Sequence, residues 1–126
     1  MNSSAVMTMD NSPDTKQFAD ELWISLISLL RSHIAMHSIA QPAGSLRVLS
    51  SSKSEIVVLG SWGKLHIVGP DKTGECATEF RPELAESGDE YETFHFNEEG
   101  LIQFQHTNTA MDMETAVEYL LRKVQA

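Results

Sequence analysis

The chain has 126 residues, 9 Lys and Arg against 18 Asp and Glu, 41% hydrophobic residues and a single Cys. That length fits one domain, able to bury roughly two-thirds of its unfolded surface without a metal, and one Cys leaves no intramolecular disulfide to demand an oxidising compartment. A formal net charge of −9 argues against a nucleic-acid backbone or an anionic membrane surface as partner, because both are held by Lys and Arg; a cytoplasmic protein is the expectation.

Residues 1–13, MNSSAVMTMDNSP, are small, polar and without period. They lack the basic start and continuous apolar stretch of a secretory signal and read as a disordered tail before a single domain at 14–126. Ser12-Pro13-Asp14 has the chemistry of a helix start: a capping hydroxyl, a Pro where no N–H is needed, and an acid at the positive end of the dipole. At 100° per residue, Phe18, Leu22, Trp23, Leu26, Ile27, Leu29, Leu30 and Ile34 share one half-circle. Asp20, Glu21, Ser25, Ser28, Arg31 and Ser32 share the other, with Ile24 as the exception. So wide an apolar face suits a helix laid across a sheet. Its interruption by Ser and Arg argues against a membrane span. The helix is expected to end near Met36, before the turn Gln41-Pro42-Ala43-Gly44. His33 falls in the apolar half and is expected to bond a carbonyl at the core edge. His37 stands four residues on, but no acid completes a specific metal spacing.

From Leu46 to His106 the period changes to two. Six strands are expected, at 46–50, 55–60, 63–69, 75–80, 91–96 and 101–106, separated by Gly-, Ser-, Pro- and Asn-containing turns. Links this short imply antiparallel neighbours. In the last hairpin a three-residue loop, Glu98-Glu99-Gly100, sets Phe96 opposite Ile102 and Phe94 opposite Phe104, whereas other loop lengths set Phe opposite Gln. It also puts Gly100 where a type I turn with a G1 bulge needs a left-handed residue, and it sets His95 opposite Gln103 and Glu92 opposite His106, a cross-strand ion pair. Ile56 and Val58 can pair with Ile67 and Leu65. Across Gly69–Gly74 one register pairs Lys64 with Glu79 and Ile67 with Cys76, without excluding others.

These pairings place Leu46, Val48, Ile56, Val58, Leu65, Ile67, Phe94, Phe96, Ile102 and Phe104 on a core face. The other face carries Arg47, Lys64, His66, Tyr91, Thr93, His95, Gln103 and Gln105 with Val57, Leu59 and Val68. Residues 81–90, RPELAESGDE, read as an acidic loop, with one turn of helix at 82–86 as the alternative. A last helix is expected from a Thr109 cap, with Asp112 three residues on and Met113, Ala116, Val117, Leu120, Leu121 and Val124 on its apolar face. The fold class is therefore α+β: an antiparallel meander of five or six strands, both terminal helices packed on one face.

No phosphate-binding glycine motif, nucleophile elbow or H-E-x-x-H is present. Cys76 sits in a strand beside acids, which suits a buried core residue better than a nucleophile. His66 and His95 share a face, and with Glu79 they are a candidate metal set if the strand order brings them together. Residues 75–99 hold nine acids against Arg81 alone, a net of −8, while the other 101 residues hold nine acids and eight bases. Such a segment can steer a basic partner.

The order helix, antiparallel meander, helix resembles that of frataxin-type proteins, and Phe18-Ala19-Asp20-Glu21-Leu22-Trp23 is similar to the first helix of bacterial frataxins. That resemblance implies iron-binding acids on the first helix and strand, where this chain carries few. With a helix at 82–86, the order resembles that of small acidic secretion chaperones, which act as dimers. Layout does not fix function. The expectation is a non-enzymatic binding module, a homodimer or bound to a protein partner. Its surfaces are Glu79, Glu83, Glu86, Asp89, Glu90 and Tyr91, with the sheet face around Val57, Leu59 and Val68. The alternative is a metal- or small-ligand-binding protein using His66, His95 and Glu79. No cofactor other than such a metal is called for.

Overall fold

The computed structural model describes residues 11–40, 46–84 and 88–125, with side chains from Lys16 onward. The order is α1 (Asn11–Ala40), β1 (Arg47–Ser51), β2 (Glu55–Gly60), β3 (Gly63–Val68), β4 (Glu75–Pro82), β5 (Glu90–Phe96), β6 (Ile102–Phe104) and α2 (Met113–Leu121). The strands form one antiparallel sheet in the order β1-β2-β3-β4-β5-β6. The period of two thus becomes a plain meander with both helices on its apolar face. Trp23, Leu26, Leu30 and Ile34 of α1 and Ala116, Val117, Leu120 and Leu121 of α2 share one core with Ile56, Val58, Leu65, Ile67, Phe94, Ile102 and Phe104.

Two hairpin tips share one device. In Asn97–Leu101 the Asn97 N–H donates to the Leu101 carbonyl, Gly100 has φ 82°, and the Asn97 side chain accepts from the Glu99 and Leu101 N–H groups. Asp71–Glu75 repeats this with Gly74 at φ 86° and the Asp71 carboxylate accepting from Thr73 and Glu75. Those donors hold the Asp71 carboxyl below the usual carboxylate range, the Thr73 hydroxyl acting most strongly. The bulged register of the last hairpin is as expected: Phe94↔Phe104, His95↔Gln103, Phe96↔Ile102. So is Ile56↔Ile67 with Val58↔Leu65.

The β3–β4 register differs by two residues from the one read above. Lys64 meets Arg81, His66 meets Glu79, and Ile67 meets Thr78. The tip itself aligns Asp71 with Glu75, and the ladder then slips by one residue at Gly69-Pro70, so that Val68 meets Ala77. Pro70 has no N–H to lose from the ladder there. Face alternation survives, because the two registers differ by an even number.

Other boundaries also move. α1 starts at Asn11, one residue before Ser12, and runs to Ala40, past the expected stop at Met36. Residues 1–10 of the expected tail lie outside the described residues. Phe18 is exposed at the margin of the α1 face rather than in it. From Lys16 to Ala40 this helix is long and apolar enough to cross a membrane by length and composition, while Ala19, Trp23, Leu26, Leu30 and Ile34 are buried against the protein. β4 continues through Pro82, and Glu83 and Leu84 form a bend, so no helical turn begins at 82; residues 85–87 lie outside the described residues. The cap of α2 is Asp112 and not Thr109, since the Asp112 carboxylate accepts from the Thr115 N–H at 2.8 Å. His33 pairs with Glu114 of α2 at 2.9 Å instead of with a carbonyl.

Gly60 closes the frame. A Cβ there would lie 2.1 Å from the Val124 carbonyl oxygen, and that same oxygen accepts from the Trp62 N–H at 2.9 Å. The exit of α2 is thereby stitched to the β2–β3 turn. Gly60→Ala is expected to cost about 3 kcal/mol through overpacking, roughly 10 °C in Tm for a domain of this size, whereas Gly88→Ala, with open space around it, leaves the melting curve unchanged. Calorimetry of the two variants checks this.

Candidate binding face

The uncovered face can be laid out as rows of register partners. One row runs Arg47, Leu59, Lys64, Arg81. The next runs Ser50, Val57, His66, Glu79, Tyr91. A third runs Glu55, Val68, Ala77, Thr93, and a fourth Glu75, His95, Gln103. A bulge between Val48 and Ser50 leaves Leu49 unpaired and exposed on this side. Tyr91 is 62% exposed and Val68 39%, while Val57 and Leu59 are half-buried. The apolar side chains expected on the open face are all there.

The acidic segment, by contrast, is not one surface. Alternation along β4 and β5 sends Glu75 and Glu79 to the open face and Glu92 to the core. Glu83, Asp89 and Glu90 stand at one end of the sheet, and Glu98 and Glu99 at the tip of the β5–β6 hairpin, on the order of 20 Å away along the strand. Arg81 lies 3.8 Å from Glu79 and 3.5 Å from Asp89, and Lys123 lies 3.8 Å from Glu90. Glu86 lies outside the described residues.

The metal set does not assemble. β4 separates β3 from β5, and while Glu79 aligns with His66 and Tyr91, His95 aligns with Glu75, four residues or about 13 Å further along. His66 instead bonds Glu55 through its Nε2. Among the described residues no three His, Cys, Asp or Glu side chains are grouped to hold a metal ion. Cys76 is fully buried, and burial pushes its thiol well above the usual range, with Glu75 and Asp71 adding to the effect.

The covered face also holds a polar cluster. Glu92 is 2% exposed. Its carboxylate accepts from the Tyr119 hydroxyl at 2.9 and 3.1 Å and from the His106 N–H at 2.8 Å. The Lys123 ammonium stands 3.7 Å away, and 4.9 Å from the Tyr119 ring centre. The expected Glu92–His106 pairing is present through that backbone bond, with the ring Nδ1 at 3.5 Å. Glu92 shares the parity of Phe94 and Phe96 on the core face, but only the fold brings the Tyr119 hydroxyl and the Lys123 ammonium to this acid. Desolvation first, then the Glu92 bond, pushes the Tyr119 phenol up to about 12.

Next to this cluster a cleft of about 620 Å³ opens at the end of the sheet, where Trp62, Phe80, Pro82 and Leu84 meet Glu83, Glu90, Arg122 and Lys123. A second hollow, of about 370 Å³, lies on the open face beside Leu49. No family model matches the chain, and no curated protein or solved structure is significantly similar to it.

Glu92→Ala is expected to destabilise the fold by about 3 kcal/mol, because it strands buried donors, and Tyr119→Phe by about 1 kcal/mol. Since the folded state raises the phenol from 10.0 to about 12, the stability it contributes is complete below pH 10 and is lost as the pH rises through about 12. Thermal melts between pH 9 and 12 should show a decline that is shallower in the Phe variant.

Proposed function

We propose that this chain is a non-enzymatic binding module of the cytoplasm, working as a dimer or with a protein partner through the uncovered sheet face. One observation carries the reading. Both helices cover the same face of the sheet, and the face left over has Leu49, Val68 and Tyr91 exposed beside half-buried Val57 and Leu59. Exposed apolar side chains on an uncovered sheet face, here interspersed with His66, Glu79, Lys64 and Arg81, support reading it as an interaction surface. The acidic residues contribute from its borders, Glu79 within the face and Asp89 and Glu90 at one end, by steering rather than by area.

The test compares the wild-type chain with a Val68→Glu/Tyr91→Ala variant of equal melting temperature. Light scattering across a concentration series reads self-association, and parallel affinity captures read partners. The expected result is an oligomer or a specific protein held by the wild type and lost by the variant. A monomer that retains the same proteins as its variant would overturn the reading.

A further inference from the structure

Like charges directly opposite one another on adjacent strands are disfavoured, yet Lys64 and Arg81 are register partners on the open face. Arg47 lies in the same row, with Leu59 between it and Lys64. Three of the chain's nine Lys and Arg residues therefore share one line across four strands. At the usual strand spacing, Lys64 and Arg81 stand about 5 Å apart at the backbone, and Arg47 about 10 Å from Lys64. A register shifted by two would set Lys64 against Glu79; the sheet instead gives that position to His66. Neither Arg47 nor Lys64 has an ion-pair partner among the described residues. Arg81 approaches Glu79 and Asp89 only at 3.8 and 3.5 Å, too far for a strong charge-assisted hydrogen bond.

The row borders a cavity. The β1 bulge opens the hollow of about 370 Å³, lined by Leu49, Ser50 and Val57 together with Lys64, Arg81 and His66, with Glu79 also on its wall. Apolar Leu49 and Val57 and five polar or charged side chains thus face one small volume, which can both fix a charged group and take an apolar body.

We propose that this hollow binds a small organic carboxylate, its anionic group held between Lys64 and Arg81 and its apolar body against Leu49 and Val57. The Arg81 guanidinium offers a planar fork that fits a carboxylate, and Lys64 supplies a point charge. The bound anion relieves the repulsion between the two cations, so the site gains more from an anion than either side chain would alone. Glu79 beside Arg81 disfavours a doubly charged group and selects a singly charged one. The Ser50 hydroxyl is a further donor at the same wall.

The proposal rests on the reading of the open face as the binding face, and it fails separately from that reading. The probe is benzoate, with acetate and chloride at matched ionic strength. Benzoate is expected to raise the wild-type Tm above both, since a ligand that binds only the native state stabilises it. Titration of Lys64→Glu should show benzoate affinity weakened at least about tenfold, the loss of one charge-assisted bond. Without ligand at low salt, that variant is expected to melt at or above the wild-type temperature, because an opposite-charge pair replaces a like-charge pair; Lys64→Gln gives the same affinity reading if the Glu variant folds poorly. A benzoate shift no larger than that of chloride, or one of equal size in both Lys64 variants, would sink the carboxylate site. The comparison of Val68 and Tyr91 variants, which reads the apolar rows, is untouched by that outcome.

Discussion

Glu92 fixes how the molecule is assembled. A carboxylate taken out of water is costly by several kcal/mol unless donors surround it. The donors are the His106 N–H after β6 and the Tyr119 hydroxyl of α2, with the Lys123 ammonium just past α2 standing 3.7 Å away. α2 cannot slide along the sheet or turn about its axis without stranding the acid. The Trp62 bond to the Val124 carbonyl and the close approach at Gly60 pin its exit. His33 to Glu114 then ties α1 to α2. With both helices committed to one face, nothing in the described chain covers the other.

The parts of this arrangement legible from residue order are those governed by local rules. Strand alternation and the apolar stripe of α1 follow from side-chain period, and the Asn97–Leu101 register from matching Phe with Phe and Ile. Asp71-x-x-Gly74 carries the same turn signal as Asn97-x-x-Gly100, and reading it alike would have located the second tip. The register beyond it would still have been wrong, because the slip at Gly69-Pro70 is imposed by packing on the rest of the sheet. Charge matching points to Lys64 with Glu79, whereas the sheet pairs Leu65 with Phe80 and Ile67 with Thr78, both registers keeping the same residues on the core face. In the Glu92 cluster the hairpin register foretells His106, while Tyr119 and Lys123, 27 and 31 residues away, meet the acid only through tertiary structure.

Net charge changes meaning once the sheet is formed. In order along the chain, residues 75–99 are a block of acids. In space a period of two divides them between two faces, and the hairpins carry the rest to opposite ends. The three aligned cations on the open face come from three separate strands and appear as no cluster at all in the sequence. The distribution of charge over a β-sheet surface is a property of register: the open rows carry Arg47, Lys64 and Arg81 against Glu55, Glu75 and Glu79, a balance the composition does not show.

The two edges of the sheet have a consequence for recognition. β1 is five residues with a bulge in the middle, and its end is held by a bond between Arg31 and Ser51. β6 is three residues, and Ile102 has both backbone groups taken by Met111 at 2.8 Å. Neither edge offers the long row of free N–H and C=O groups that strand addition requires. At the proposed binding face, selectivity would then rest on side chains and not on main chain. Selectivity built that way can be retuned by single substitutions on the open rows, with the hydrogen-bonded ladder and the core beneath left as they are.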